Sequence, residues 1–278
     1  MEQRYATNPA QVPHFDTQQL RDTYLVEEVF VPGQVTAVYT HHDRIVLGGA
    51  VPAGDRLALP RFDELRADYF LQNREVGMVN VGGEGIVSAD GEDYVMPNGA
   101  CLYLGRGTRE VSFRDGDGDG DSGAQFYLFS APAHTSYPAQ LALPGEGTVR
   151  ELGEQATSNR RSLTQYIHAD GIRSCQVVMG VTRLHEGSMW NTMPAHTHDR
   201  RTECYLYFDV PQDARVIHLL GERSETRHLV VADRQAVISP SWSIHSGVGT
   251  AAYSFVWAMA GENQAFDDMD AAPVTALR

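Results

Sequence analysis

An all-β chain built as two tandem β-barrels is what this sequence predicts, and three observations lead there. Short runs rich in Val, Ile, Tyr and Phe, separated by Gly, Asp, Asn and Pro, recur from about Val35 to Met259, the mark of many brief strands joined by turns. Helical periodicity is scarce. Residues 105–113, GRGTREVSF, are echoed by residues 247–255, GVGTAAYSF, with identities at Gly105/Gly247, Gly107/Gly249, Thr108/Thr250, Ser112/Ser254 and Phe113/Phe255. A duplicated chain is best read as two copies of one unit.

In chain order, Asp16 to Glu28 is the strongest helix candidate and Phe62 to Phe70 a second short one. The remainder reads as strands of a sandwich or barrel. The Pro- and Gly-bearing stretch from Ala131 to Thr148 suits a junction, which divides the chain into residues 1–135 and 136–278. The echo sets Tyr103 against His245, so a ligand is expected in the C-terminal barrel and no metal in the N-terminal one.

A chain of 278 residues, 42% hydrophobic and 21% charged, has the balance of an ordinary globular protein. It contains no apolar run near the ~18 residues that span a bilayer, so no membrane association is expected. The opening MEQRYATNPA has neither a basic-then-apolar leader nor an Arg-rich transit pattern, which makes the cytoplasm the expected location. Cys101, Cys175 and Cys204 are odd in number and lack a C-x-x-C spacing, so free buried thiols are expected. The formal charge of −14 disfavours nucleic acid as a partner. All 22 basic residues are arginine, which removes every lysine-based mechanism, Schiff bases included.

The segment MPAHTHDRRTECYLYFDV carries His196, His198 and Glu203 as H-x-H-x4-E. On a strand His196 and His198 share a face. The polar stretch Asp199 to Thr202 suits a bend, after which Glu203 can point back to the same spot; PSWSIH adds His245. Three imidazoles and a carboxylate suit zinc, iron(II), manganese or nickel, with room left for water or substrate. H-x-H-x4-E followed by P-x4-H resembles the paired motifs of the cupin superfamily, with Trp242 where that superfamily often has Gly.

The resemblance extends over nearly the whole chain to the 5-keto-4-deoxyuronate isomerase family. It is carried by RYATNP, EEVFVP, DRIVLGGAVP, ELRADYFLQNREVG, SAPAHTSYP, TSNRRSLTQYIHADGIRSCQ and GSMWNTMPAHTHDRRTECYLYFDV. It implies a bicupin, two jelly-roll barrels with short N-terminal helical segments. It also implies one Zn2+ per chain on His196, His198, Glu203 and His245, and a homo-oligomer, commonly a hexamer. The implied reaction interconverts 5-dehydro-4-deoxy-D-glucuronate and 3-deoxy-D-glycero-2,5-hexodiulosonate in pectin and uronate breakdown. Such an aldose–ketose shift needs a polarised carbonyl, which a divalent cation supplies as a Lewis acid.

Tyr205, Tyr207, His168 and Glu262 are the candidates for moving protons. Arg160, Arg161, Arg200 and Arg201 are the candidates for gripping the substrate carboxylate, and Trp190 for walling the pocket. His41 and His42 are adjacent and would face opposite sides of a strand, so a structural or interface role is expected for them. Asp115, Asp117, Asp119 and Gly120 imitate the start of a calcium loop, but Phe126 stands where its bidentate Glu belongs, and a solvated hairpin loop is expected. The alternative activities are a 5-deoxyglucuronate isomerase, an iron(II) cupin dioxygenase and a non-enzymatic sugar-binding bicupin.

Overall fold

A computed structural model describes residues 1–116 and 123–278. The calcium-like pattern at Asp117, Asp119 and Gly120 therefore lies outside the described residues. The fold is all-β, as expected, and consists of two compact units. No helix among the described residues is long and apolar enough to cross a membrane.

The first unit comprises Met1–Arg4, Glu28–Thr148 and Gln165–Met179, and the second Tyr5–Glu27, Val149–Thr164 and Gly180–Arg278. The contiguous division at 135/136 is thus replaced by an interleaved one, for two local reasons. Leu25–Val26 pairs as a short strand with Val237 and Ala236, which ties the N-terminal helical segment into the second unit. The segment 165–179 is held in the first unit by Glu75, a fully buried carboxylate. Glu75 accepts the backbone N–H groups of Cys175, Gln176 and Val177 at 2.7, 2.7 and 2.9 Å and the Tyr103 hydroxyl at 2.7 Å.

The expected Asp16–Glu28 helix spans Thr17–Tyr24. Asp16 caps it, and a reciprocal bond from Gln19 closes a capping box. It stops where Leu25 takes extended dihedrals to join the sheet. The Phe62–Phe70 helix reduces to one 3-10 turn, Asp63–Leu65, flanked by Phe62 and Arg66 at positive φ. Tertiary packing overrides the local signal there: the Phe62 and Phe70 rings meet edge to face at 5.9 Å beside the first core.

The first unit stacks a seven-stranded sheet with strands in the order Glu2–Arg4, Gln34–Thr40, Ile45–Val51, Phe126–Pro132, Arg74–Asn80, Cys101–Leu104 and Gln140–Ala142. Its companion sheet runs Leu57–Ala58, Val111–Asp115, Gly85–Ala89 and Glu92–Met96. The second unit repeats the plan. A second seven-stranded sheet, most of it in this unit, runs Thr148–Leu152, Arg161–Ile167, Val178–Leu184, Ser254–Gly261, Arg201–Phe208, Ala236–Ser239 and Leu25–Val26. The unit's smaller sheet runs Glu225–Val231, Val216–Glu222, His245–Gly249, Trp190–Thr197 and Asp270–Ala272.

Strand order and register correct the sequence echo. The strand Arg74–Asn80 sits between Phe126–Pro132 and Cys101–Leu104, as Arg201–Phe208 sits between Ser254–Gly261 and Ala236–Ser239. Val76 faces Ser130 and Leu104 just as Glu203 faces Met259 and Ser239. Val76 is therefore the counterpart of Glu203, Met78 of Tyr205, and Leu128 of Trp257. His245 opens the strand equivalent to Val111–Asp115, not to the one holding Tyr103. The echo matched a Gly-rich turn and a β-run out of structural register, because those residues recur wherever a tight turn meets a strand. In the first barrel the equivalents of these positions, Val76, Met78 and Leu128, are apolar and form a core with Leu102, Phe113 and Phe126. Among the described residues the one group of converging metal-ligating side chains is in the second unit.

Replacing Glu75 with Ala leaves three backbone donors and a phenol without their acceptor. The expected loss is about 3 kcal/mol of stability, read as a lower denaturant midpoint with an unchanged slope.

Candidate functional site

Three strands deliver the cluster. His196 lies near the end of Trp190–Thr197, directly opposite His245 in an antiparallel pair whose register shifts between Asn191 and His196. His198 follows the strand, and the expected bend is a turn at Asp199 and Arg200, closed by the Arg201 N–H donating to the His198 carbonyl at 2.9 Å. Glu203 and Tyr205, two residues apart on Arg201–Phe208, face inward together. The Pro240 turn, closed by the Ser243 N–H at 2.9 Å, presents His245.

The four side chains converge. His196 Nε2 lies 3.1 Å from His198 Nε2 and 3.0 Å from His245 Nε2, and Glu203 Oε2 lies 3.1 and 2.8 Å from His198 Nε2 and His245 Nε2. All four ligand atoms fall within 4.8 Å of one another. His198, Glu203 and His245 are buried. Glu203 Oε2 receives no well-formed hydrogen bond despite its close neighbours. A buried carboxylate oxygen and three ring nitrogens aimed at one point, with too few protons between them, are the donor set that a divalent cation satisfies.

One tautomer of His198 suits that reading, with Arg201 Nη2 also 3.1 Å from its Nδ1. His198 Nδ1 lies 2.9 Å from the Asp268 carbonyl oxygen. A proton donated there leaves the lone pair on Nε2, facing the cluster. Burial, reinforced by His245 and His198, pushes His196 down to about 2, so its imidazole is neutral. Burial alone would raise Glu203, but His245 and His198 outweigh it and hold the carboxyl well below the usual range. Asp268 is itself anchored: Arg200 Nε donates to its carboxylate at 2.7 Å and Asn263 Nδ2 at 2.6 Å.

A cavity of about 240 Å³ opens onto His196, His198 and Glu203. Tyr205, Thr192, Arg161, Trp257, Met259 and Phe266 also line it. Tyr205 lies with its hydroxyl 3.0 Å from Thr192 Oγ1 and its ring centroid 5.5 Å from that of His245. Burial, then the Glu203 charge, pushes this phenol well above its ordinary range, which keeps it protonated. Gly180 has no side chain because the Trp257 indole rests against its Cα; any Cβ there would strike that ring.

The other sequence candidates are placed elsewhere. Tyr207 is fully buried with its hydroxyl 2.8 Å from His218 Nδ1, and it does not line the cavity. His168 belongs to the first unit and is not a lining residue. Glu262 is exposed, as is Arg160, and neither lines the cavity. Arg200 is committed to Asp268 and Asp270. Arg201 is wholly buried behind His198, its Nη2 donating to the Asp268 carbonyl at 3.0 Å. Trp190 is half-buried and off the cavity. Of the four arginines only Arg161 reaches it. Sequence reasoning missed Thr192, Trp257 and Met259. The alternation Phe255, Trp257, Met259 was a usable signal, since Trp257 and Met259 sit opposite Tyr205 and Glu203 across the strand pair.

Residues 24–274 match the KduI/IolB family. The chain belongs to that family. It is 66% identical, over the full length of both chains, to a protein of Kineococcus radiotolerans named 4-deoxy-L-threo-5-hexosulose-uronate ketol-isomerase. Proteins of the same name from Bacillus pumilus and Bacillus subtilis are 53% and 50% identical, again end to end. Among solved structures, an IolB-like protein from Salmonella typhimurium aligns with a TM-score of 0.69 at 17% identity, covering 87% of this chain and 94% of that one. An oxalate decarboxylase from Lactobacillus farciminis aligns at 0.55 with 8% identity over 79% and 78%. These two speak for the bicupin fold alone.

His218, fully buried, is pushed down to about 3 by burial and then by His245. The unfolded chain therefore takes up a proton below about pH 6.5 that the folded chain refuses, and stability falls with falling pH by about 1.4 kcal/mol per unit from this residue. In urea titrations between pH 7 and pH 5, His218→Gln is expected to remove that one proton from the slope.

Proposed function

We propose that this chain is a metal-dependent aldose–ketose isomerase that converts 4-deoxy-L-threo-5-hexosulose uronate to 3-deoxy-D-glycero-2,5-hexodiulosonate, holding one zinc ion on His196, His198, Glu203 and His245. The observation that carries the reaction is the end-to-end identity of 66% to a relative named for it. The cluster at the floor of a sugar-sized cavity supports the metal. A cation bound there would act as a Lewis acid on the substrate carbonyl.

The chain's own residues account for the rest. Arg161 is the one arginine on the cavity wall among the described residues. Its Nη1 is braced on the Asn159 carbonyl at 2.8 Å, and the guanidinium suits the uronate carboxylate at the end of the sugar remote from the reacting carbons. Tyr205, kept protonated, and the Thr192 hydroxyl beside it form the pair that donates hydrogen bonds to the reacting oxygens. Trp257, Met259 and Phe266 exclude water from that end. Assembly into a homohexamer and work in the cytoplasm during pectin breakdown complete the proposal, and light scattering of the purified protein tests the first of these.

5-Deoxyglucuronate isomerase activity is the second reading, favoured by the breadth of the matched family. Paired assays on both uronates separate them, and turnover without oxygen separates either from a dioxygenase. His196→Ala and His245→Ala are expected to lower turnover more than about 10³-fold while metal analysis falls from one ion per folded chain to none. A metal-stripped preparation that keeps full activity sinks the mechanism. Arg161→Ala is expected to raise KM by about 10- to 100-fold with a smaller effect on kcat. Solvent deuterium appearing in product after a single turnover marks an enediol route; its absence marks a hydride shift.

A further inference from the structure

The first unit also holds a cavity. It measures about 300 Å³ and is lined by Tyr39, His41, Arg44, Phe70, Asn73 and Arg74, among others. Arg74 opens the strand equivalent to Arg201–Phe208, and Pro132 and Ser130 pair with it as Gly261 and Met259 pair with theirs. The cavity therefore sits at the end of the first barrel that corresponds to the metal-bearing end of the second.

Arg74 is only 6% exposed. Its Nε donates to Ser130 Oγ at 3.1 Å, and its Nη2 donates to the carbonyls of Arg44 and Ser130, both at 2.8 Å. The guanidinium is thereby clamped on one side, while Nη1 has no hydrogen-bond partner among the described residues. Burial pushes this group down to about 10, so it is still a cation near neutral pH. Arg44 stands on the His41–Arg44 turn with positive φ, exposed, and its side chain pairs with no described carboxylate. The one carboxylate on the wall, Glu64, is already matched by the Met1 ammonium at 2.8 Å. Tyr39 lies under Arg74, with Cζ 6.0 Å from the ring centroid, and His41 meets the same ring at 5.0 Å. Two cations, one of them pre-oriented and carrying unused donors, beside aromatic walls describe a receptor for a small anion with an apolar face.

We propose that this cavity is a second, non-catalytic binding site for a small hydroxylated carboxylate of sugar-acid size, its carboxylate on Arg74 Nη1 and the Arg44 guanidinium and its ring face on Tyr39. The first barrel lacks counterparts of the second barrel's ligand carboxylate and phenol, since Val76, Met78 and Leu128 stand where the second has Glu203, Tyr205 and Trp257. It does not depend on the isomerase reading.

The test is calorimetric titration of the full-length protein with D-glucuronate, with D-glucose as the neutral control, on the wild type and on Arg44→Ala, Arg74→Gln and Arg161→Ala. A glucuronate-binding event is expected that survives Arg161→Ala, is not displaced by glucose, and weakens about tenfold in Arg74→Gln and several-fold in Arg44→Ala. Arg44 is an exposed turn residue, so that variant carries the test even if Arg74→Gln fails to fold. The proposal is overturned if all glucuronate binding disappears with Arg161→Ala, or if neither Arg44→Ala nor Arg74→Gln changes it. Finding a side chain of a second copy seated in this cavity would also overturn it.

Discussion

Four electron-rich atoms aimed at one buried point dominate the second barrel. Three imidazole nitrogens and a carboxylate oxygen within 4.8 Å repel one another unless a proton or cation lies between them, and burial removes the water that would screen them. The surroundings are arranged to hold the cluster in place. The Asp268 carbonyl orients His198, Arg200 and Asn263 hold Asp268, and Arg201 is packed behind. Each of these contacts restricts a member of the cluster or its support to one geometry.

Comparison of the two units separates what the fold requires from what chemistry requires. Both share strand order and register around the central strand. In the first, Val76, Met78 and Leu128 fill the interior with apolar side chains, which stabilise it by burial. In the second, Glu203, Tyr205 and Trp257 occupy those positions, and a polar cluster replaces part of the hydrophobic core. An apolar interior and a converging polar cluster are thus divided between two units of one architecture. The buried Glu75 shows another use of a carboxylate: accepting from four donors, it fastens a distant segment into the first unit.

Strand content, the helix after Asp16 and the identity of the four converging side chains were legible from residue spacing, because period-two alternation, capping boxes and H-x-H patterns are local. The short helix at Phe62 was misjudged because its two phenylalanines serve the core rather than a helical face. The internal echo was out of register, since Gly-rich turns recur for conformational reasons unrelated to ancestry. The arginines were indistinguishable as residues of a motif; only the fold shows that Arg161 faces the cavity, Arg200 binds an aspartate and Arg201 is buried.

By itself the sequence determined the class of fold, the lysine-free chemistry and which four side chains meet, since these follow from composition and from spacing along single strands. Tertiary structure alone decided the interleaved units, the placing of Arg161 and Tyr205 rather than Tyr207, His168 and Glu262 on the wall of the second barrel's cavity, and the cationic cavity of the first barrel. The physical reason is that facing and burial arise from pairings between residues tens to hundreds of positions apart, which no local pattern encodes.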